Sequence, residues 1–369
     1  MNKKIDFNAI DAMPEGLDQM YLANFRRVFQ GEDKTKWERN KAVVGLIVAS
    51  SASSENVPKE IVRHVLGGSK EALAQATEDI SLLFPLREGR FCSIHKSVVD
   101  WLTDVQKAGE FFVGKQTVDR GKSSLARHCL ARVNRLLGEG RGQGDGTSTG
   151  GKLEPGFQGD ADADADRYAL TNVIQFLVES GGAREAASLL FSFAYILAKA
   201  KIGQILALLR DAKTVVVAMS VGEANGVDSS TWGEDHAATR AHKRAAAEES
   251  EEGAEMGEVS FRAVELIVSA LQLAIADGAQ TDWRRLPGQL VARLIGYSKS
   301  EEEGERVPAI VRLLAGVRSW KGDRGRKWWC PLSQTFEPAG GALIATFRGH
   351  KGKLLDTVLR DSINLTTHD

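Results

Sequence analysis

The chain has 369 residues, a formal net charge of -1, 43% apolar residues and 26% charged residues. This length allows two or three domains, and the composition is ordinary for a soluble protein. A net charge near zero disfavours a general nucleic-acid or membrane-surface binder, because such proteins carry a basic excess. The N-terminal start lacks the apolar run of a secretory signal, and the most apolar segment, Leu189–Ala198, is too short to span a bilayer. Three widely spaced cysteines favour a reducing compartment, so we expect a cytoplasmic protein.

The N-terminal part has the periodicity of short helices. A helix over Leu17–Phe29 is predicted to bury one face that comprises Leu17, Tyr21, Phe25 and Val28. A second helix spans Thr35–Ser50, with Thr35 and Glu38 as a capping-box pair. Two further helices are predicted to begin at Pro58 and after Ser69.

A hairpin near Leu86–Ser93 and a helix that ends near Leu102 are predicted next. His95 lies at their junction, a position that presents a polar side chain to a ligand or a neighbouring domain. An ordinary histidine, solvated or satisfied in the core, is the alternative. The order of helices, hairpin and helix predicts a winged helix, but the fourth helix, Lys70–Asp79, is net acidic, which disfavours DNA binding.

Two stretches of low complexity divide the rest of the chain. Gly138–Asp166 is rich in Gly and ends in an Asp-Ala repeat, and Gly222–Gly257 is rich in Ala and Glu. Neither can form a core, so we expect a disordered linker over 138–166 and an insert over 222–257. Helical periodicity between them and after them, strongest at Phe261–Ala276, predicts a helical domain over 167–335.

Several motifs resemble one family. The segment IHKSVVDWLTD, which contains His95, resembles the HxSFxDFL motif that closes the winged-helix part of NACHT proteins with C-terminal WD repeats. SSLARHCLARVNRLL, ADRYALTNVIQFL and TDWRRLPGQLVARLIG resemble later helices of that family. WWCPLSQTFEPAGGALIATFRGHKGKL resembles the phrase that ends in the Gly-His of the first WD repeat, here Gly349-His350. The chain departs from the pattern at Lys96, Val98 and Ser123.

The resemblance implies a mainly α fold: a winged-helix domain with its following helix over 1–137, a helical bundle, and an incomplete first WD-repeat blade over 336–369. His95 would contact the terminal phosphate of ADP and hold the closed, inactive state. Gly349, His350 and Asp369 would be structural residues of the blade. The family's phosphate-binding loop lies upstream, so we expect no cofactor in this chain and ADP or ATP only with an upstream ATPase core.

Two other patterns suggest ligand sites but fail on spacing. Gly121-Lys122-Ser123-Ser124 resembles the end of a phosphate-binding loop, yet Gln116 stands where the motif needs Gly, so we expect a plain loop and helix start. Asp160, Asp162 and Asp164 alternate as in a calcium loop, yet the turn Gly and the bidentate Glu are missing, so we expect solvated linker. No Cys/His spacing fits zinc.

The resemblance implies a non-catalytic regulatory and scaffold segment of a NACHT/WD-repeat signalling ATPase. Its expected partners are the family's own ATPase core and propeller, or other proteins, and neither nucleic acid nor a membrane. A stand-alone helical adaptor is the alternative, and a winged-helix nucleic-acid binder is a third. No catalytic residue and no metal ligand is expected, and the chain alone is predicted to hydrolyse no ATP.

Overall fold

The structure is a computed structural model that describes residues 16–29, 35–53, 55–93, 95–138, 161–224, 259–299 and 307–320, with positions 322, 328, 330–333, 336 and 339. The described residues are mainly helical, with fifteen α-helices and one two-stranded sheet. The predicted blade over 336–369, with its strand near Ala342–Leu359, lies outside the described residues except for Phe336 and Ala339.

Within the described ranges the N-terminal half has seven helices: α1 (Gly16–Phe29), α2 (Lys36–Ser50), α3 (Lys59–Leu66), α4 (Lys70–Ile80), α5 (Lys96–Leu102), α6 (Val105–Ala108) and α7 (Lys115–Gly138). A 3₁₀ turn, Gly109–Phe111, separates α6 from α7. Rings from four of these segments pack together: Phe25 lies 5.0 Å from Trp101 and 5.4 Å from Phe111, and Trp37 lies 5.4 Å from Phe111. These edge and tilted contacts make an aromatic core beneath α1 and α5.

Two details of the first helices differ from the sequence prediction. Leu17 is 56% exposed, and Phe29 takes its place on the buried face of α1. Thr35 precedes α2 with helical dihedral angles and makes no side-chain cap hydrogen bond, so the predicted capping box does not form. By contrast, Ser69 caps α4 as predicted, because its hydroxyl accepts the backbone N–H of Ala72.

The predicted hairpin is present and short. Strands β1 (Leu86–Arg87) and β2 (Arg90–Phe91) pair antiparallel, and the turn between them has positive φ at both Glu88 and Gly89. Two positive φ values are typical of the tight turn that matches strand twist, and the glycine relieves the strain at one of them. The hairpin is tied to the start of α3, because Phe91 N–H donates to the carbonyl oxygen of Val57 at 3.0 Å.

The described residues of the C-terminal half form eight helices: α8 (Ala161–Glu179), α9 (Ala183–Leu190), α10 (Phe193–Lys201), α11 (Ile205–Ala224), α12 (Phe261–Ala276), α13 (Leu286–Leu294), α14 (Gly296–Lys299) and α15 (Pro308–Ser319). The predicted amphipathic helix coincides with α12, which buries Val264, Ile267, Leu271 and Ile275. One hydrophobic core runs continuously from α1 to α15.

The predicted linker over 138–166 is wrong at both ends. Gly138 is the last residue of α7, and 161–166, the Asp-Ala repeat, are the first turns of α8. Alanine is the best helix former, and acidic residues near a helix N-terminus are stabilised by the helix dipole, so the repeat favours a helix once it has a surface to pack on. Likewise, 222–224 of the predicted insert belong to α11; the remainder of the insert lies outside the described residues.

Candidate functional site around His95

His95 occupies the junction that the sequence indicates, directly after the hairpin and at the N-terminus of α5. Its backbone is extended, and its exposed side chain caps the helix by accepting the backbone N–H of Ser97 on Nδ1 at 3.2 Å. The hydroxyl of Ser93 donates to the carbonyl oxygen of His95 at 2.6 Å. The histidine is therefore held from both sides of the junction.

The cap fixes which ring nitrogen carries the proton. A backbone N–H can only donate, so Nδ1 of His95 must be the acceptor, and a neutral ring then carries its proton on Nε2. The hydroxyl oxygen of Ser97 lies 2.6 Å from Nδ1 and 2.6 Å from the hydroxyl oxygen of Tyr21. With Nδ1 accepting, the chain of donors runs from Tyr21 to Ser97 to His95.

The hydrogen-bond chain from Tyr21 to His95 starts at a rigid side chain, because Tyr21 belongs to the aromatic core. Tyr21 is only 5% exposed, and its ring centroid lies 5.9 Å from that of Trp101, which is 1% exposed. The hydrogen-bond chain thus begins in packed aromatic side chains and ends at an exposed imidazole. The orientation of the His95 ring is set by the core of the N-terminal half rather than by the loop alone.

This arrangement presents one free hydrogen-bond donor to an incoming group. Nε2–H of His95 makes no hydrogen bond to any other described residue, and it suits an acceptor such as a phosphate or carboxylate oxygen. The site therefore offers a donor of fixed orientation, and among the described residues no group of three or more acidic, His or Cys side chains is placed to hold a metal ion.

The sequence predicts a loop and helix start at Gly121-Lys122-Ser123-Ser124. In the structure this segment lies inside α7 instead. A Cβ on Gly121 would lie 2.8 Å from the Cβ of Ala49, so this glycine allows α7 to pack closely on α2. Lys122 forms an ion pair with Glu179 at 2.9 Å. Close helix packing explains the glycine, and a contact between α7 and α8 explains the lysine.

Three aspartates of the predicted linker form ion pairs instead of being solvated. Asp162 and Asp166, one helical turn apart on α8, both accept hydrogen bonds from the guanidinium of Arg132 on α7, and Asp164 accepts from Arg90 of β2. Arg132 is 5% exposed; burial acts to lower its pKa, but the two carboxylates raise it above its ordinary value. We call these five residues the Arg90–Arg132 cluster; it joins the N-terminal half to α8.

Sequence reasoning singled out the position of His95 but did not identify the residues that orient its side chain. Ser97 had a readable signal, since a hydroxyl in the first turn of a helix can bond to the capping side chain. Tyr21 had none, because it lies 76 residues from Ser97 along the chain. The predicted WD-repeat residues Gly349, His350 and Asp369 lie outside the described residues.

The chain was compared with known protein families, with characterised proteins and with solved structures, and none of them matches it. Within the described ranges, no helix is both long and apolar enough to cross a bilayer. The geometry around His95 and the contacts between the two halves are therefore the basis of the proposed function.

Proposed function

We propose that the chain is a non-catalytic regulatory and scaffold segment of a NACHT/WD-repeat signalling ATPase. In this proposal α2, α3, α4 and the hairpin form a winged helix, and the helical half relays its position to a WD-repeat propeller. Support comes from the element order and from the bond between Phe91 and Val57, which adds a third extended segment to the hairpin. The nucleotide belongs to an ATPase core outside this chain, and the coupling would act through rotation of domains.

The observation that carries the proposal is the free Nε2–H of His95, held at a strand-to-helix junction by a bond chain from the core. A donor of fixed orientation suits a phosphate oxygen that is present in one nucleotide state of a partner domain and displaced in another. A group that only capped α5 would need no ring that extends into solvent, because serine or aspartate caps equally well.

A stand-alone helical adaptor is the second candidate, favoured by an exposed apolar face on α11 that is described below. Extension of the reading frame upstream separates the two candidates, because only the signalling ATPase requires a phosphate-binding loop before α1. A nucleic-acid binder is disfavoured, because the basic side chains Lys36 and Arg39 of α2 already pair with Asp79 of α4. Salt-sensitive binding of random duplex DNA would revive it.

The test uses the chain extended by its ATPase core and compares two substitutions. His95→Ala removes the cap and the donor, whereas His95→Ser removes the donor and keeps a good cap. A hydrogen bond to a charged group contributes about 1.5–3 kcal/mol, so both variants should release ADP roughly 10–100-fold faster. The measurement is the dissociation rate of a fluorescent ADP analogue under stopped flow.

Histidine and serine can both cap α5, so a comparison of His95→Ser with His95→Ala separates a contact to the nucleotide from a purely structural role of His95. In the chain without the ATPase core, His95→Ala should lose about 1 kcal/mol of unfolding free energy and His95→Ser almost none. ADP release that is slow in His95→Ser but fast in His95→Ala would show that only the cap matters, and the proposal would fail. Magnesium-dependent ATP turnover by the purified chain, absent in Lys122→Ala, would show that the segment is catalytic.

A further inference from the structure

One face of α11 is lined by apolar side chains that no described residue covers. Leu206 is 60% exposed, Val217 is 62% exposed and Val221 is 53% exposed. With Val178 of α8 and neighbouring side chains of α11 they border an open groove of about 710 Å³. Large apolar side chains that share one helix face and one groove are typical of a surface that binds another protein.

The same face carries two cations between its apolar ends. Leu206, Arg210, Lys213, Val217 and Val221 follow each other at steps of three or four residues, so they lie on one line along the helix. Arg210 and Lys213 are exposed and form no ion pair with another described residue. At about 1.5 Å per residue, the line is about 22 Å long. The order along it is apolar, cationic, cationic, apolar, apolar.

We propose that this face, the α11 groove, binds an amphipathic helix of a partner protein that carries two acidic residues in the middle of its apolar side. A helix laid along the groove would bury apolar side chains on Leu206 at one end and on Val217 and Val221 at the other. Its acidic residues would pair with Arg210 and Lys213, which supply the charge complementarity. The required length, about four helical turns, is that of an ordinary partner helix.

The position of the cations favours a protein helix over a lipid surface. Helices that lie on membranes carry their basic residues on the polar side, away from the acyl chains. Here Arg210 and Lys213 interrupt the apolar line itself, so insertion of Val217 and Val221 into a bilayer would carry both charges towards hydrocarbon. An apolar groove with cations in its middle fits a partner helix whose carboxylates lie midway along its apolar side.

The test titrates the whole chain into a fluorescein-labelled helical peptide of about 18 residues, with leucines at both ends of one face and two glutamates between them. A second probe has the order of its residues reversed, so that both helix directions are sampled. We expect one probe to bind with a salt-dependent rise in anisotropy. The double substitution R210E/K213E should weaken it at least about tenfold, and a probe with lysines in place of the glutamates should recover the loss.

The control is R312E/R318E, which makes the same change of charge on exposed positions of α15 and should leave binding unchanged. Val217→Asp should abolish binding and leave the free energy of unfolding unchanged, because the side chain is exposed. Four results would overturn the proposal: no binding of either probe, equal binding by R210E/K213E, binding to anionic vesicles but not to the probes, or self-association that Val217→Asp abolishes. Binding that appears only after removal of 225–258 would overturn it too, because the chain itself would then be the occupant.

Discussion

The Arg90–Arg132 cluster and the pair Lys199–Asp211 each contain a buried cation, Arg132 and Lys199, but they lie in different kinds of place. The cluster joins the N-terminal half to α8, and its carboxylates keep access to water: the side chain of Asp162 is 68% exposed and that of Asp164 38%. The pair lies within the C-terminal half, where Lys199 is fully buried and donates to Asp211 and to the carbonyl oxygen of Thr171. The cluster connects the two halves of the molecule, whereas the pair is enclosed within one of them.

Water access decides what each group contributes. Burial lowers the pKa of Lys199 and raises the pKa of Asp211, and each opposes that effect in its partner by attraction. Beside them the hydroxyl of Tyr195 and the Oε1 of Gln204 are buried without a hydrogen-bond partner, and the side chains of Lys199 and Asp211 are 0% and 13% exposed, so little water reaches the pair. In the cluster, by contrast, solvent can take over part of the role of a lost partner. We therefore expect the pair to govern folding and the cluster to govern how firmly the halves are joined.

The largest effect should come from breaking the pair. Lys199→Met leaves a buried carboxylate without a partner and should cost about 3–5 kcal/mol of unfolding free energy in urea denaturation. The double variant K199M/D211L removes both charges and should recover most of that loss. Lys213→Met, on the exposed side of α11, is the control and should change stability by less than about 0.5 kcal/mol. A double variant as unstable as Lys199→Met would show that packing, rather than the unpaired charge, causes the loss.

A smaller effect, of another kind, should follow from Arg132→Met. The side chain of Asp162 is largely exposed to solvent and that of Asp166 partly exposed. The free energy of unfolding should therefore fall by about 2–3 kcal/mol. It should also uncouple the halves, which would show as two urea transitions where the parent chain has one. Arg135→Met, an exposed change on the same helix, is the matched control. A single transition in Arg132→Met would mean that apolar contact between α7 and α8 couples the halves without the cluster.

The contrast also shows which features the sequence could reveal. Helix periodicity, the hairpin turn and the position of His95 are local patterns, and the structure has them where the residues indicate. The Asp-Ala repeat reads as solvated linker on composition, because its partner Arg132 is 30 residues from Asp162. The spacing of Asp162 and Asp166 by one helical turn was the available signal, but only a basic residue on a facing helix gives it meaning.

The burial of Lys199 is a second feature that the sequence alone could not reveal. Lys199 and Lys201 directly follow an apolar segment, and nothing in their type or spacing distinguishes one from the other. The structure buries Lys199 completely and leaves Lys201 half-buried, near the ring of Trp283 at 5.3 Å. Sequence reasoning sees residue type and spacing, whereas burial depends on which helices cover a face. The same holds for Gly121. A Cβ at this position would clash with Ala49, and this becomes evident only once α7 is seen packed against α2.

The smallest effect concerns pH and lies beside the cluster, between α3 and α7. The ring of His128 stacks on that of His64 with centroids 5.6 Å apart, and its Nε2 is buried without a partner. Burial lowers the pKa of His128 to about 4, and electrostatic interactions with Arg132, His64 and Arg135 act in the same direction. An unfolded histidine has a pKa of about 6.5, so between these two values the unfolded chain binds more protons than the folded chain.

Stability should therefore fall as the pH drops from about 7 to 5, and the fall should be absent at higher pH. The shift alone would correspond to about 2 kcal/mol at pH 5, but the ring is only partly buried, so we expect about 1 kcal/mol. His128→Gln keeps a neutral polar side chain at every pH and should lose this part of the slope in urea denaturation. Asp166 and Asp162 titrate in both proteins, so the difference between the two pH profiles isolates His128. Identical profiles would mean that His128 is as accessible to protons in the folded chain as in the unfolded one, and that the contact between α3 and α7 tolerates the charged ring.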